Sequence, residues 1–211
     1  MESIEFRWLG RLKFEEGLAL QTELVEARRQ NLAPDTVVLL EHEPVYTIGR
    51  TRDRSSLLDA EGKGLPVVEI NRGGQATYHG PGQLVGYPIL DLNLYGRDLH
   101  VYLRALEEAL IEASREAGIQ ASRREGLTGV WVEDRKLASI GVGVRHWISM
   151  HGFAINVAAD LGGFAAIVPC GIQDVTMTSV ERETGVAWTV QAFGEVVSTA
   201  LRSQLGRLRQ D

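Results

Sequence analysis

One cysteine, three lysines and no long apolar run are what this chain of 211 residues has least of. With Cys170 alone, no disulfide can close within the chain, and a reducing, cytoplasmic setting is expected. No apolar stretch approaches the roughly 18 residues that a membrane-spanning helix needs. The opening Met1-Glu2-Ser3-Ile4-Glu5-Phe6-Arg7 lacks the basic start and apolar stretch of a secretory signal. A net charge of −6 offers no strongly basic face of the kind nucleic-acid binding draws on.

What is present is ordinary for a globular protein: 44% hydrophobic and 24% charged residues, enough for one domain spanning 1–211. No internal repeat, low-complexity tract or linker divides it. The basic residues are nearly all arginines, the lysines being Lys13, Lys63 and Lys136. Arg50, Arg52 and Arg54 crowd together, as do Arg123 and Arg124, with Arg135 further on. Grouped on one face, they would form a positive docking patch for an acidic partner; scattered, they would simply be solvated.

Helical and strand patterns interleave. Phe14, Leu18 and Val25 share a face of a helix expected from about Glu15 to Gln30. Thr36 to His42 reads as a buried strand, Val45 to Gly49 as a short one, and Leu65 to Asn71 as another. Gln83 to Leu92 alternates as a strand. Asp98 is placed to cap a helix with Leu99, Leu103, Leu106 and Leu110 on one face and Gly118 past its end. Thr128–Glu133 and Leu137–Arg145 form a hairpin about Asp134-Arg135, with Ser149–Val157 as a third antiparallel strand. An irregular stretch from Asp160 to Gln173 holds the cysteine. Thr178-Ser179-Val180-Glu181 has capping-box spacing, and Thr189 opens a last helix. The fold class is α/β (α+β), with β-rich hairpins.

Chemistry concentrates in four places. Arg72-Gly73-Gly74-Gln75-Ala76-Thr77-Tyr78-His79-Gly80-Pro81-Gly82-Gln83 is too rich in glycine to pack a core. It reads either as a substrate cradle, where glycine lets a ligand approach the backbone, or as a long solvated turn. Cys170, between Pro169 and Gly171, is either an inert buried thiol or a nucleophile presented on a turn. Lys136 beside the hairpin turn is either a solvated strand end or a lysine kept because, unlike arginine, it can give up its proton when desolvated. Among the histidines, His79 is the functional candidate; His100 and His146 read as surface residues, and no metal-binding spacing links any of the five to Cys170. No phosphate-binding loop of the P-loop type and no serine nucleophile elbow occur.

These blocks carry a resemblance. The glycine segment with Tyr87-Pro88, then Lys136 with Ser139-Ile140-Gly141, then His151-Gly152-Phe153-Ala154-Ile155-Asn156, then Pro169-Cys170-Gly171-Ile172 resemble, in order, the motifs of the lipoyl(octanoyl) transferases. The likeness covers nearly the whole chain. It implies the single-domain fold of the biotin/lipoyl protein ligases, with mixed β-sheets and packed helices. It implies transfer of an octanoyl group from acyl carrier protein to a lysine of lipoyl domains, those of 2-oxoacid dehydrogenases and the glycine cleavage H protein, by a monomeric enzyme needing neither ATP nor metal. Cys170 is then the acylated nucleophile and Lys136 its base. Arg72, Gly73, Gly74, Gln75, Ala76, Thr77, Tyr78 and His79, with Ser139, Ile140, Gly141, Gly152, Phe153 and Ala154, line the acyl site. Gly141 and Gly152 are expected to let the tail lie against the sheet, and backbone N–H groups near Cys170 and Lys136 to stabilise the oxyanion. The alternative is an ATP-dependent lipoate or biotin ligase, whose related loop typically has glycine where this chain has Gln75. A non-catalytic acyl-carrier-binding domain is the other competing class.

Overall fold

The computed structural model describes residues 4–59, 62–172 and 175–209. Gln173, the last residue of the expected irregular stretch, lies outside them. The chain begins with strand β1 (Glu5–Leu12), helix α1 (Phe14–Arg29), and strands β2 (Thr36–His42), β3 (Val45–Ile48), β4 (Val67–Glu69), β5 (Thr77–His79) and β6 (Gln83–Ile89). Helix α2 (Leu99–Glu116) leads to β7 (Ser122–Arg124), β8 (Leu127–Val132), β9 (Arg135–Arg145) and β10 (Ile148–Asn156). The last elements are β11 (Thr176–Met177) and helices α3 (Val180–Thr184) and α4 (Val190–Leu208).

The larger sheet runs β1-β2-β6-β10-β9-β8-β7, with β11 joined to β9; the smaller runs β4-β3-β5. Alternation along the central strands divides the core in two. Val37, Leu39, Leu84, Ile155 and Val130 face α2 and α4, while Val38, Leu40, Val85, Tyr87 and Ala154 face α1. The result is the expected α/β architecture of mixed sheets with packed helices, and it puts the β6–β10–β9 centre of the sheet beneath the glycine segment.

Local signals act where expected. Asp98 accepts hydrogen bonds from the His100 and Val101 N–H groups, and Thr189 caps α4 through the Ala192 N–H. Several boundaries differ. The strand expected over Leu65–Asn71 shortens to β4, because Asn71 turns into the glycine segment. The one expected to reach Leu92 stops at Ile89, where Asp91 caps a 3-10 turn from Leu92 to Tyr95. The hairpin turns at Glu133-Asp134, one residue early, with Glu133 at φ 55°. Ser179 rather than Thr178 caps α3, accepting from the Arg182 N–H at 3.3 Å. The sequence does not mark β1, β5, β7 or β11 as strands; the last three, of two or three residues each, are too short to show a period.

Candidate active site

The glycine segment is a strap laid across β9. Its Arg72 carbonyl accepts from the Arg50 N–H at 3.0 Å, and the Gly73 N–H donates to the Val142 carbonyl at 3.1 Å. Two missing side chains make the approach possible. A Cβ on Gly49 would overlap the Gly74 carbonyl, and one on Gly141 would stand 2.9 Å from the Gly73 carbonyl and 3.2 Å from Arg72 Cδ. The space beside Gly141 therefore belongs to the strap, not to an acyl tail. That beside Gly152 is taken by the Gly86 carbonyl and Pro88. A side chain at either glycine would thus meet neighbouring backbone, while both glycines line the cavity.

Arg72 is buried and spends its donors inside the protein. It donates to the Thr47 carbonyl at 3.0 Å, the Thr47 hydroxyl at 2.8 Å and the Gly73 carbonyl at 2.8 Å. It is a strut that braces the strap, and its flank lines the cavity. Beyond it, β5 alternates: Thr77 and His79 face the cavity, while Tyr78 points the other way, against Tyr46 and Phe164. Ala76 is fully buried off the cavity wall, and Gln75 turns its amide toward Gly171, where a Cβ would collide with it.

The cavity beneath the strap is walled by Arg72, Gly73, Gly74, Ser139, Ile140, Gly141, Gly152, Phe153, Ala154 and Cys170 from the expected set, besides Thr77 and His79. Phe14, Ile70, Val85, Tyr87 and His151 complete it. Of these five, His151 and Tyr87 stand in motif blocks and could have been suspected. Phe14, Ile70 and Val85 carry no signal beyond apolarity; only folding brings α1 and β4 to this place.

Three imidazoles sit in or behind this wall, all neutral. Burial pulls His79 down to about 3, aided by the charges of His42 and Arg72. Burial takes His42 to about 4, and burial with the nearby Arg72 takes His151 to about 4. His42 donates from Nδ1 to the Leu12 carbonyl at 3.1 Å, so its Nε2 accepts the Tyr87 hydroxyl at 2.6 Å. His79 donates from Nδ1 to Gln83 Oε1 at 2.7 Å. Gln83 passes the chain on to Asn156 Oδ1 at 2.9 Å, Asn156 to the Thr178 carbonyl at 2.9 Å, and the Thr178 N–H to the Lys136 carbonyl at 2.9 Å. A buried relay of amides thus joins the strap's histidine to the strand that bears Lys136.

Cys170 stands at φ 56° on a 3-10 turn begun by Pro169, a left-handed backbone that a cysteine rarely adopts. The Ala76 carbonyl accepts its N–H at 2.9 Å. Its sulfur lies 3.8 Å from the Ser139 hydroxyl. The Gly171 and Ile172 N–H groups donate to Val168 and Pro169 at 3.0 and 3.1 Å. All three amides of the turn are spent on backbone carbonyls, so those beside Cys170 do not form the expected oxyanion site.

Lys136 is 1% exposed, which overturns the solvated reading. Its Nζ lies 5.1 Å from the centre of the Trp131 ring, and Gly129 leaves room for its stem. Among the described residues no carboxylate pairs with it. Lys136 and Cys170 line one groove on the outer side of the strap, with Arg50, Leu99, Leu103, Leu127, Val144 and Ile172. Cys170 therefore stands where cavity and groove meet. Among the described residues, no cluster of three or more His, Cys, Asp or Glu could hold a metal ion, and no helix is long and apolar enough to cross a membrane.

Residues 13–202 match the family model of the lipoyl protein ligase A/B catalytic domain. The octanoyltransferase of Syntrophotalea carbinolica is 54% identical over 182 residues, covering 86% of this chain and 85% of its own. That of Citrifermentans bemidjiense is 49% identical over 193 residues, covering 92% and 93%. In fold, the chain is similar to the bi-partite lipoate protein ligase of Thermoplasma acidophilum, with a TM-score of 0.72 at 17% identity over all of this chain and 87% of that one. It also resembles the biotin protein ligase of Aquifex aeolicus, with a TM-score of 0.56 at 14% identity over all of this chain and 72% of that one.

Proposed function

The chain belongs to the family of lipoyl protein ligase A/B catalytic domains, and from that premise we propose that it carries an octanoyl group as a thioester on Cys170 between two protein partners. Octanoyl transfer is the reaction of this enzyme, in line with relatives about half identical over most of its length. The donor is octanoyl-acyl carrier protein, and the acceptor is a lysine of a lipoyl domain, including those of 2-oxoacid dehydrogenases and the glycine cleavage H protein. Residues 1–211 act as one catalytic domain, a cytoplasmic monomer that docks each partner in turn.

In the first step the Cys170 sulfur attacks the donor's thioester carbonyl, the new C–S bond forms, and the carrier's thiolate leaves. Lys136 takes the thiol proton and returns it to the departing thiolate. In the second step the acceptor's ε-amine attacks the acyl-cysteine, giving an amide and restoring the thiol. Covalent catalysis divides one transfer between two large proteins into two separate encounters. Thioester exchange is nearly isoenergetic and the amide lies lower, so neither ATP nor a metal is called for. The apolar cavity holds the tail; burying its seven carbons is worth roughly 5–6 kcal/mol at most.

The observation that carries this reading is the position of Cys170, at positive φ where the cavity meets the groove containing Lys136. Incubation with octanoyl-loaded carrier protein and a lipoyl domain, without nucleotide, should octanoylate one acceptor lysine. Modification only with ATP, and with release of AMP, would establish the ligase reading instead.

A further inference from the structure

The groove reaching Lys136 and Cys170 is lined by two arginines and one lysine and by no carboxylate, in a chain of net charge −6. Two of the three, Arg72 and Lys136, are buried; Arg50 is exposed. Of the other crowded arginines, Arg124 lies over the Trp131 ring at 4.9 Å and the rest face carboxylates. Arg52 and Arg54 face Glu69 at 3.5 and 3.3 Å, Arg123 binds Glu107 and Glu108 at 3.0 and 2.7 Å, and Arg135 binds Glu133 and Glu183 at 2.7 and 2.9 Å. Arg50 has no carboxylate partner among the described residues, while its backbone N–H, tied to Arg72 at 3.0 Å, anchors it at the strap's edge. Between Arg50 and Cys170 the wall is mainly apolar (Leu99, Leu103, Leu127, Ile172), with Asn71 and Thr128 as its polar points.

We propose that this groove holds the prosthetic arm of the acyl donor, with Arg50 binding the phosphate by which that arm is attached. The inference rests on the donor being a carrier-bound thioester. Such an arm has three chemical parts: a thioester at its tip, an uncharged chain with two amides, and an anionic phosphodiester at its root. The groove offers groups to match: Cys170, a mainly apolar wall that includes Asn71 and Thr128, and an exposed guanidinium with no carboxylate partner among the described residues. Guanidinium pairs with phosphate through two parallel hydrogen bonds, and the exposed end makes the contact salt-sensitive. The acceptor's lysine brings no anion, so Arg50 serves the first half-reaction and not the second.

The test compares two minimal donors, octanoyl-4′-phosphopantetheine and octanoyl-pantetheine, by the rate of Cys170 acylation on the full chain. The phosphorylated donor should be preferred by about tenfold in kcat/KM, an effect the size of one charge-assisted contact. In Arg50→Gln the ratio should fall toward one; in Arg50→Lys it should be intermediate. Equal rates for the two donors, or an unchanged ratio in Arg50→Gln, would overturn the proposal. If neither minimal donor acylates Cys170 while the octanoyl-loaded carrier protein does, the arm is not what the groove recognises and the proposal falls; if the loaded carrier protein also leaves Cys170 unmodified, it is the covalent reading that falls.

Discussion

The N–H of Cys170 donates to the carbonyl of Ala76 at 2.9 Å, tying the Cys170 turn to the glycine strap. The strap in turn rests on Gly49 and Gly141, so the placement of one sulfur depends on backbone contacts from three separate parts of the chain.

Gly171→Ala should disturb this joint. The position lies at φ +70°, and an added Cβ would meet the Gln75 amide. The left-handed backbone alone should cost about 1 kcal/mol or more. Displacement of the turn should lower acylation of Cys170 by roughly tenfold, about the effect of a small misplacement of reacting groups. Normal acylation with normal thermal stability would show that the joint does not position the thiol.

Lys136→Arg should lose acyl transfer by about 100-fold or more, the usual scale of a general base. Arginine cannot give up its proton, and Gly129 packs too closely on the lysine stem for a guanidinium to fit without shifts. Near-normal single-turnover acylation in this variant would remove Lys136 from the base's role.

Gly141→Val separates a tail-binding glycine from a strap-binding one. Because the strap occupies the space beside Gly141, hexanoyl, octanoyl and decanoyl donors should all slow together, with their ranking kept. A shift of the optimum toward shorter chains would return the tail to that spot.

The three buried histidines predict acid sensitivity. In the unfolded chain they take up protons near pH 6.5, whereas His79 holds off until about 3 and His42 and His151 until about 4. Between these limits the unfolded state binds more protons, so stability is full above about pH 6.5 and falls on acidification toward 4, by about 1.4 kcal/mol per pH unit for each histidine. Urea unfolding at pH 7.0 and 5.5 measures the slope. His151→Asn, chosen because asparagine tolerates the φ of 56° found there, should flatten it by about one proton. An unchanged slope would mean that His151 titrates normally in the fold.

Much of the fold was readable from periodicity and capping residues: Asp98, Thr189 and the alternation of β2 and β6 act as their chemistry suggests. The motif blocks picked out the strap, Lys136 and Cys170 with roles for each, but not how the strap residues are held. Arg72 at the start of a glycine loop suggested a ligand contact, and its donors proved to be spent on Thr47 and Gly73. Phe14 in the cavity wall, and Arg50 without a carboxylate partner among the described residues, arise from contacts distant in sequence, which no local pattern encodes.

The central claim is the thioester on Cys170, and intact mass is its most direct test. Mixing the protein with octanoyl-loaded carrier protein should add one octanoyl group, removable by hydroxylamine and absent from Cys170→Ser. An acceptor lipoyl domain modified in full while no adduct forms on the enzyme under single turnover, or while Cys170→Ser works as well, would contradict it.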